Sequence, residues 1–151
     1  MKINLENKYL VLTTNKEEKI LKLKKMIWEN KTILYFYPKD NTPWCSLENK
    51  AFSDLKKEFE NKWYKLIWIS KDSIESHKKF KEKYNLENDL ISDPELILHN
   101  ELWVYGEKNN YWKIVKWVIR SSFIIDKDWN ILKEYKNVKA TWHAEKVFRE
   151  N

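Results

Sequence analysis

The residues best suited to chemistry surround Cys45, the one cysteine of the chain. Cys45 follows a β-favouring apolar run and opens an amphipathic helical pattern, which places its sulfur at a helix N-terminus. Free amide donors and the positive end of the helix dipole both favour a thiolate there, the form a nucleophilic cysteine needs. A lone cysteine is otherwise a small buried hydrophobe, and its neighbourhood separates the two readings. In Pro38-Lys39-Asp40-Asn41-Thr42-Pro43-Trp44-Cys45 a proline ends the strand and a hydroxyl lies three residues before the thiol. A second group is Arg120, one of only two arginines, in the strand-like run Arg-Ser-Ser-Phe-Ile-Ile-Asp.

These groups need strands and helices to hold them. The run 32–37, Thr-Ile-Leu-Tyr-Phe-Tyr, is continuously apolar, as a central strand buried on both faces should be, and 40–43 is a loop. From Cys45 onward Leu47, Ala51, Leu55 and Phe59 recur every four residues with Phe52 beside them, which predicts a long helix. Residues 64–70 form a second core strand. Asp72, with Glu75 three positions on, caps a helix carrying Ile74, Phe80 and Tyr84. Asp93 and Pro94 open a short helix through Leu102. Residues 113–125 and 130–135 read as two strands joined by a turn at Asp128 and Trp129, and a last helix starts at His143. Alternating strands and helices without a linker or repeat argue for a single α/β domain over residues 1–151, a central mixed sheet flanked by helices.

Composition narrows the function. The longest apolar run falls far short of the roughly 20 residues a membrane span needs, and the first nine residues carry no signal-peptide core. A cytoplasmic protein is expected. One cysteine and three scattered histidines, His77, His99 and His143, share no ligand spacing, so neither a metal nor a cofactor is expected. The net charge of +6 comes from lysines interleaved with acids rather than from a basic stripe. That is a solvated surface, and no nucleic-acid partner is expected.

The Pro-x-x-x-Thr-x-x-Cys pattern between a strand and a helix resembles the active-site signature of peroxiredoxins. Residues 33–45, 69–80, 92–95, 104–108 and 120–128 are similar to the bacterioferritin-comigratory (PrxQ) branch of bacterial peroxiredoxins, whereas the first thirty residues show little of it. The resemblance implies a thioredoxin-like fold and a thiol-dependent peroxidase acting on hydrogen peroxide and organic hydroperoxides. It makes Cys45 the peroxidatic residue, whose thiolate attacks one peroxide oxygen and expels the other. Thr42 would align sulfur and peroxide, Arg120 would pair with both, and Pro38 would shield the sulfur from water. The alternatives are a thioredoxin-fold protein of weak activity, or a basic aromatic module that binds nucleic acid without needing the thiol.

Two departures from the branch stand out. Many members carry a resolving cysteine five residues after the peroxidatic one, and here that position is Lys50. The oxidised sulfur must then be resolved by an external thiol (thioredoxin, glutaredoxin or a small thiol), by a second subunit's Cys45, or not at all, in a monomer or a homodimer. The second departure is one glycine against nine tryptophans, where a domain of this length carries about ten glycines. Trp28, Trp44, Trp63, Trp68, Trp103, Trp112, Trp117, Trp129 and Trp142 all fall where the branch has glycine. Trp129 in a hairpin turn and Trp63 after a helix also occupy places that favour left-handed backbone. The expectation is a gene from a genome in which UGA specifies glycine, with those codons written as tryptophan.

Overall fold

The computed structural model describes residues 6–13, 15–26, 31–40, 50–55, 58–59, 64–84, 86, 88–110, 113–126, 128, 130–136 and 143–150, with backbone alone for 107–110, 113–117 and 143–145. Seven strands form one sheet in the order β2-β1-β5-β4-β3-β8-β9. Its centre is β3 (Lys31–Phe36), β4 (Tyr64–Ser70) and β5 (Asp89–Ser92), which run parallel, with Ile33 opposite Leu66 and Ile69 opposite Ile91. These strands bury nearly every residue, which explains why their sequences are continuously apolar rather than alternating. On one side β1 (Lys8–Leu12) pairs antiparallel with β5 and with β2 (Glu18–Lys22). On the other, β8 (Ser121–Ile125) pairs antiparallel with β3 and with β9 (Ile131–Tyr135). The outer strands β2 and β9 carry exposed lysine and glutamate, which discourage pairing with another chain.

Alternate residues of the central strands feed two apolar layers. Ile33, Tyr35, Leu66, Trp68 and Ile124 pack on one face with Phe52, Phe59, Phe80 and Val147. Those four come from helical residues 50–54 and 58–59, from α1 (Ile74–Tyr84) and from α3 (His143–Glu150). The opposite face joins Leu34, Phe36, Ile67 and Phe123 to Leu23 and Met26, around the 3-10 turn Leu23–Lys25, and to Leu98 and Leu102 around α2 (Ile97–Glu101). The mixed sheet between helices is the architecture expected from the alternating pattern.

Three local expectations need correction. The cap of α1 is Ser73, whose Oγ accepts from the Ser76 amide at 3.2 Å; Asp72 is turned to another task, described below. Asp93 and Pro94 lie in a turn closed by Leu96 N–H to the Asp93 carbonyl, and α2 starts only at Ile97. The Asp93 carboxylate still accepts from the amides of Ile97 and His99, so it caps the helix from four residues upstream. The stretch 113–125 is two strands: β7 (Lys113–Val118) forms a separate hairpin with β6 (Tyr105–Asn110), while β8 returns to the main sheet. Ile119 and Arg120 make the break, the former donating its amide to the Val104 carbonyl. The strands β1 and β2 lie ahead of the first element expected from the sequence.

Two of the nine tryptophans have side chains within the described residues. Trp103 has φ of 60° and is 71% exposed. Its amide donates to the Asn100 carbonyl and that of Val104 to the His99 carbonyl, the paired hydrogen bonds of a left-handed helix end. Lys16 and Leu96 share the positive φ, but a bulky indole is a poorer occupant of that region, and glycine is the usual one. Trp68 is wholly buried in β4 between Tyr35 and Leu90, and its indole N–H has no hydrogen-bond partner among the described residues. Burying a donor unpaired costs about 1–3 kcal/mol. Trp28, Trp44, Trp63, Trp112, Trp129 and Trp142 lie outside the described residues.

Candidate active site

Because β8 runs antiparallel to β3, the start of one lies beside the end of the other: Phe36 pairs with Ser121. Pro38, half-buried just beyond β3, and Arg120, half-buried just before β8, therefore lie at the same end of the sheet. This is the end where β3, β4 and β5 all finish, the usual place for binding sites in parallel α/β sheets. Thr42 and Cys45 lie outside the described residues. The chain leads to them from Asp40, which is held by several hydrogen bonds.

Asp40 is 4% exposed and is held from four directions. Its Oδ1 accepts from the Tyr37 hydroxyl at 2.6 Å, and its Oδ2 accepts from the Ser76 hydroxyl at 2.9 Å. His77 Nδ1 lies 2.7 Å from the same Oδ2, and His77 Nε2 lies 3.1 Å from the Ile91 carbonyl. Both ring nitrogens therefore face oxygen atoms. The fourth contact is the Asp40 amide, which donates to Asp72 Oδ2 at 2.8 Å. Asp72 in turn accepts from the Ser70 hydroxyl at the end of β4. The first residues of the loop are thus tied to β4, β5 and α1 together. Burial, then the neighbouring Asp40 carboxylate, pushes the Tyr37 phenol well above the ordinary tyrosine value, so it stays a neutral donor.

Arg120 is anchored by Tyr35, whose hydroxyl accepts from Nη1 at 2.6 Å. Tyr35 and Tyr37 stand two residues apart on the same face of β3, with rings stacked at 5.8 Å and 12°. Phe52 covers Tyr35 at 4.8 Å and Phe80 lies 6.1 Å from Tyr37. One tyrosine therefore holds the arginine and the next holds the loop. Lys50, at the position of the missing resolving cysteine, is an exposed helical residue paired with Asp54 at 3.0 Å.

The sequence motifs named Pro38 and Arg120, which the fold brings to one end of the sheet, but did not point to the buried frame of Tyr35, Tyr37, Asp40, Asp72, Ser76 and His77 behind them. The available signal was a histidine three residues after Ile74 and three before Phe80, on the stripe that faces the core. A polar side chain there needs buried partners.

A mixed sheet between helices, with Arg120 and the first residues of the Pro-x-x-x-Thr-x-x-Cys segment at one end, defines the thioredoxin-like class of thiol enzymes. Comparison with known proteins narrows this. The model of the AhpC/TSA family matches residues 5–134, reaching into the first thirty residues where the sequence alone showed little. Peroxiredoxin Bcp of Bacillus subtilis is 41% identical over 112 residues, covering 74% of this chain and 71% of its own. Peroxiredoxin Bcp of Xanthomonas campestris is 36% identical over 115 residues, covering 76% and 72%. Among solved structures, the bacterioferritin comigratory protein of Xanthomonas campestris, studied for alkyl peroxide reduction, superposes with a TM-score of 0.85 at 28% identity, over 97% of this chain and 90% of that one. A mutant of Xylella fastidiosa PrxQ gives 0.84 at 32% identity, over 97% and 87%. The chain belongs to the AhpC/TSA family and is a peroxiredoxin of the bacterioferritin-comigratory, PrxQ type. It is a thiol-dependent peroxidase, and its single cysteine fits a one-cysteine cycle. Among the described residues, no helix is long and apolar enough to cross a membrane.

Proposed function

We propose that Cys45 is the peroxidatic residue of a one-cysteine cycle, with Thr42, Pro38 and Arg120 completing its site. The thiolate sulfur attacks one peroxide oxygen as the O–O bond breaks, and the other oxygen leaves as water or alcohol after taking a proton. The sulfur, oxidised by two electrons, becomes a sulfenic acid. An external thiol then attacks it and releases water, leaving a mixed disulfide, and a second thiol frees Cys45 and carries away the disulfide. Thr42 aligns the oxygens, Arg120 holds charge on sulfur and peroxide, and Pro38 limits water at the sulfur.

The observation that carries this reading is the placement of Arg120 beside Pro38, at the sheet end from which the loop to Cys45 leaves. Lys50 at the resolving position favours thioredoxin, glutaredoxin or a small thiol attacking the sulfenic acid directly. The substrates are hydrogen peroxide and organic hydroperoxides, and the protein works in the cytoplasm as one domain, monomeric or homodimeric, without nucleic acid.

Mass spectrometry tests the cycle. One equivalent of peroxide followed by glutathione should give a single adduct on Cys45, which more thiol removes. A Cys45-to-Cys45 dimer that resists glutathione, or no oxidation of Cys45, would contradict it.

A further inference from the structure

We propose that Tyr35 is a positioning residue for Arg120, fixing the direction of the guanidinium toward the thiolate and peroxide through an acceptor that does not itself offset its charge. The inference rests on the site assigned above and extends it to a residue that does not itself touch the reacting atoms.

Arg120 lies on the same face as Tyr35 and Tyr37. The register that sets Phe36 against Ser121 brings it beside Tyr37, and its side chain runs diagonally back to the Tyr35 hydroxyl at 2.6 Å. A guanidinium is planar, so pinning Nη1 fixes the direction of its other donors as well. The acceptor is itself immobile. Tyr35 has no exposed surface, and its ring is clasped between Tyr37 at 5.8 Å and Phe52 at 4.8 Å.

The chemical type of the acceptor matters. A carboxylate at this position would hold the arginine equally well but would offset its charge, weakening its pull on an anionic sulfur. A phenol hydroxyl orients the fork without itself offsetting the charge. The stack makes this possible for a long side chain at the sheet edge, because the hydroxyl is delivered by a ring that cannot rotate away.

Tyr35→Phe keeps the ring, its volume and its stacking and removes only the acceptor oxygen. Its second-order rate constant with hydrogen peroxide should fall about tenfold. Alkylation of Cys45 by iodoacetamide at alkaline pH, where the thiol is ionised without help, should keep its rate. Arg120→Lys should slow the peroxide reaction at least as much, and Tyr35→Phe/Arg120→Lys should be no slower than Arg120→Lys alone, because the hydroxyl acts through the arginine.

Each contrary result has a distinct meaning. Tyr35→Phe at the parent rate, with Arg120→Lys impaired, overturns the positioning role and leaves the site assignment standing. A double variant slower than Arg120→Lys by the full Tyr35→Phe factor also overturns it. Arg120→Lys at the parent rate removes the site assignment itself.

Discussion

The Tyr37 hydroxyl and the Asp40 carboxylate, 2.6 Å apart and both buried, tie the loop leading to Cys45 back onto the strand it has just left. The same carboxylate takes hydrogen bonds from Ser76 and His77 on α1, so one residue joins loop, strand and helix. Asp40→Asn keeps the size but removes the charge and turns an acceptor edge into a donor facing other donors. Loss of a buried, charge-assisted cluster should cost about 2–3 kcal/mol. Denaturant unfolding should show a lower midpoint with an unchanged slope, and peroxide oxidation should slow as the loop loses its anchor.

Alkaline pH should weaken the same cluster. The Tyr37 phenol is raised in the folded protein, by burial first and then by Asp40. Its contribution is therefore fully present below the ordinary tyrosine value of 10.0 and is lost as pH rises above it, because the unfolded chain releases this proton and the folded one does not. Each pH unit above that value should cost up to about 1.4 kcal/mol from this residue. Tyr37→Phe should be less stable than the parent at neutral pH, and the gap between them should narrow above pH 10.0 in urea titrations. A gap that stays constant would show that the phenol ionises as freely in the folded state as in the unfolded one.

Trp103 gives a test of the tryptophan-for-glycine reading. At φ of 60° and 71% exposed, it carries the cost of left-handed backbone with little burial in return. Trp103→Gly should raise stability by about 1 kcal/mol in thermal or denaturant unfolding. Trp103→Ala should gain much less, since alanine meets the same backbone restriction. In protein purified from its native host, intact mass should match glycine at all nine tryptophan positions. Tryptophan at those positions would sink the recoding account.

How far the sequence could be read depended on whether a feature was local. The central strands β3 and β4 were legible because burial on both faces makes 32–37 and 64–70 apolar without interruption. The break at Ile119 and Arg120 was not, because its apolar flanks continue across it and only pairing partners separate β7 from β8. Asp72 was read as a helix cap from its spacing to Glu75, yet Ser73 takes that role, freeing Asp72 to hold the Asp40 amide 32 residues away. For the candidate site, short motifs named Pro38 and Arg120, and the fold sets both at one end of the sheet. The frame behind them is non-local: Tyr35 meets Arg120 across 85 residues, and Asp40 meets His77 across 37. Such contacts leave no mark in a single sequence beyond a histidine on an apolar stripe.

The most direct test of the peroxidase assignment is stopped-flow oxidation of the reduced protein by hydrogen peroxide, followed in the glycine-restored and tryptophan-bearing forms beside Cys45→Ser. The account predicts oxidation of the glycine form far faster than that of a free thiol, abolished by Cys45→Ser. If neither form reacts faster than a free thiol, or if the fast phase survives in Cys45→Ser, Cys45 is not the peroxidatic residue.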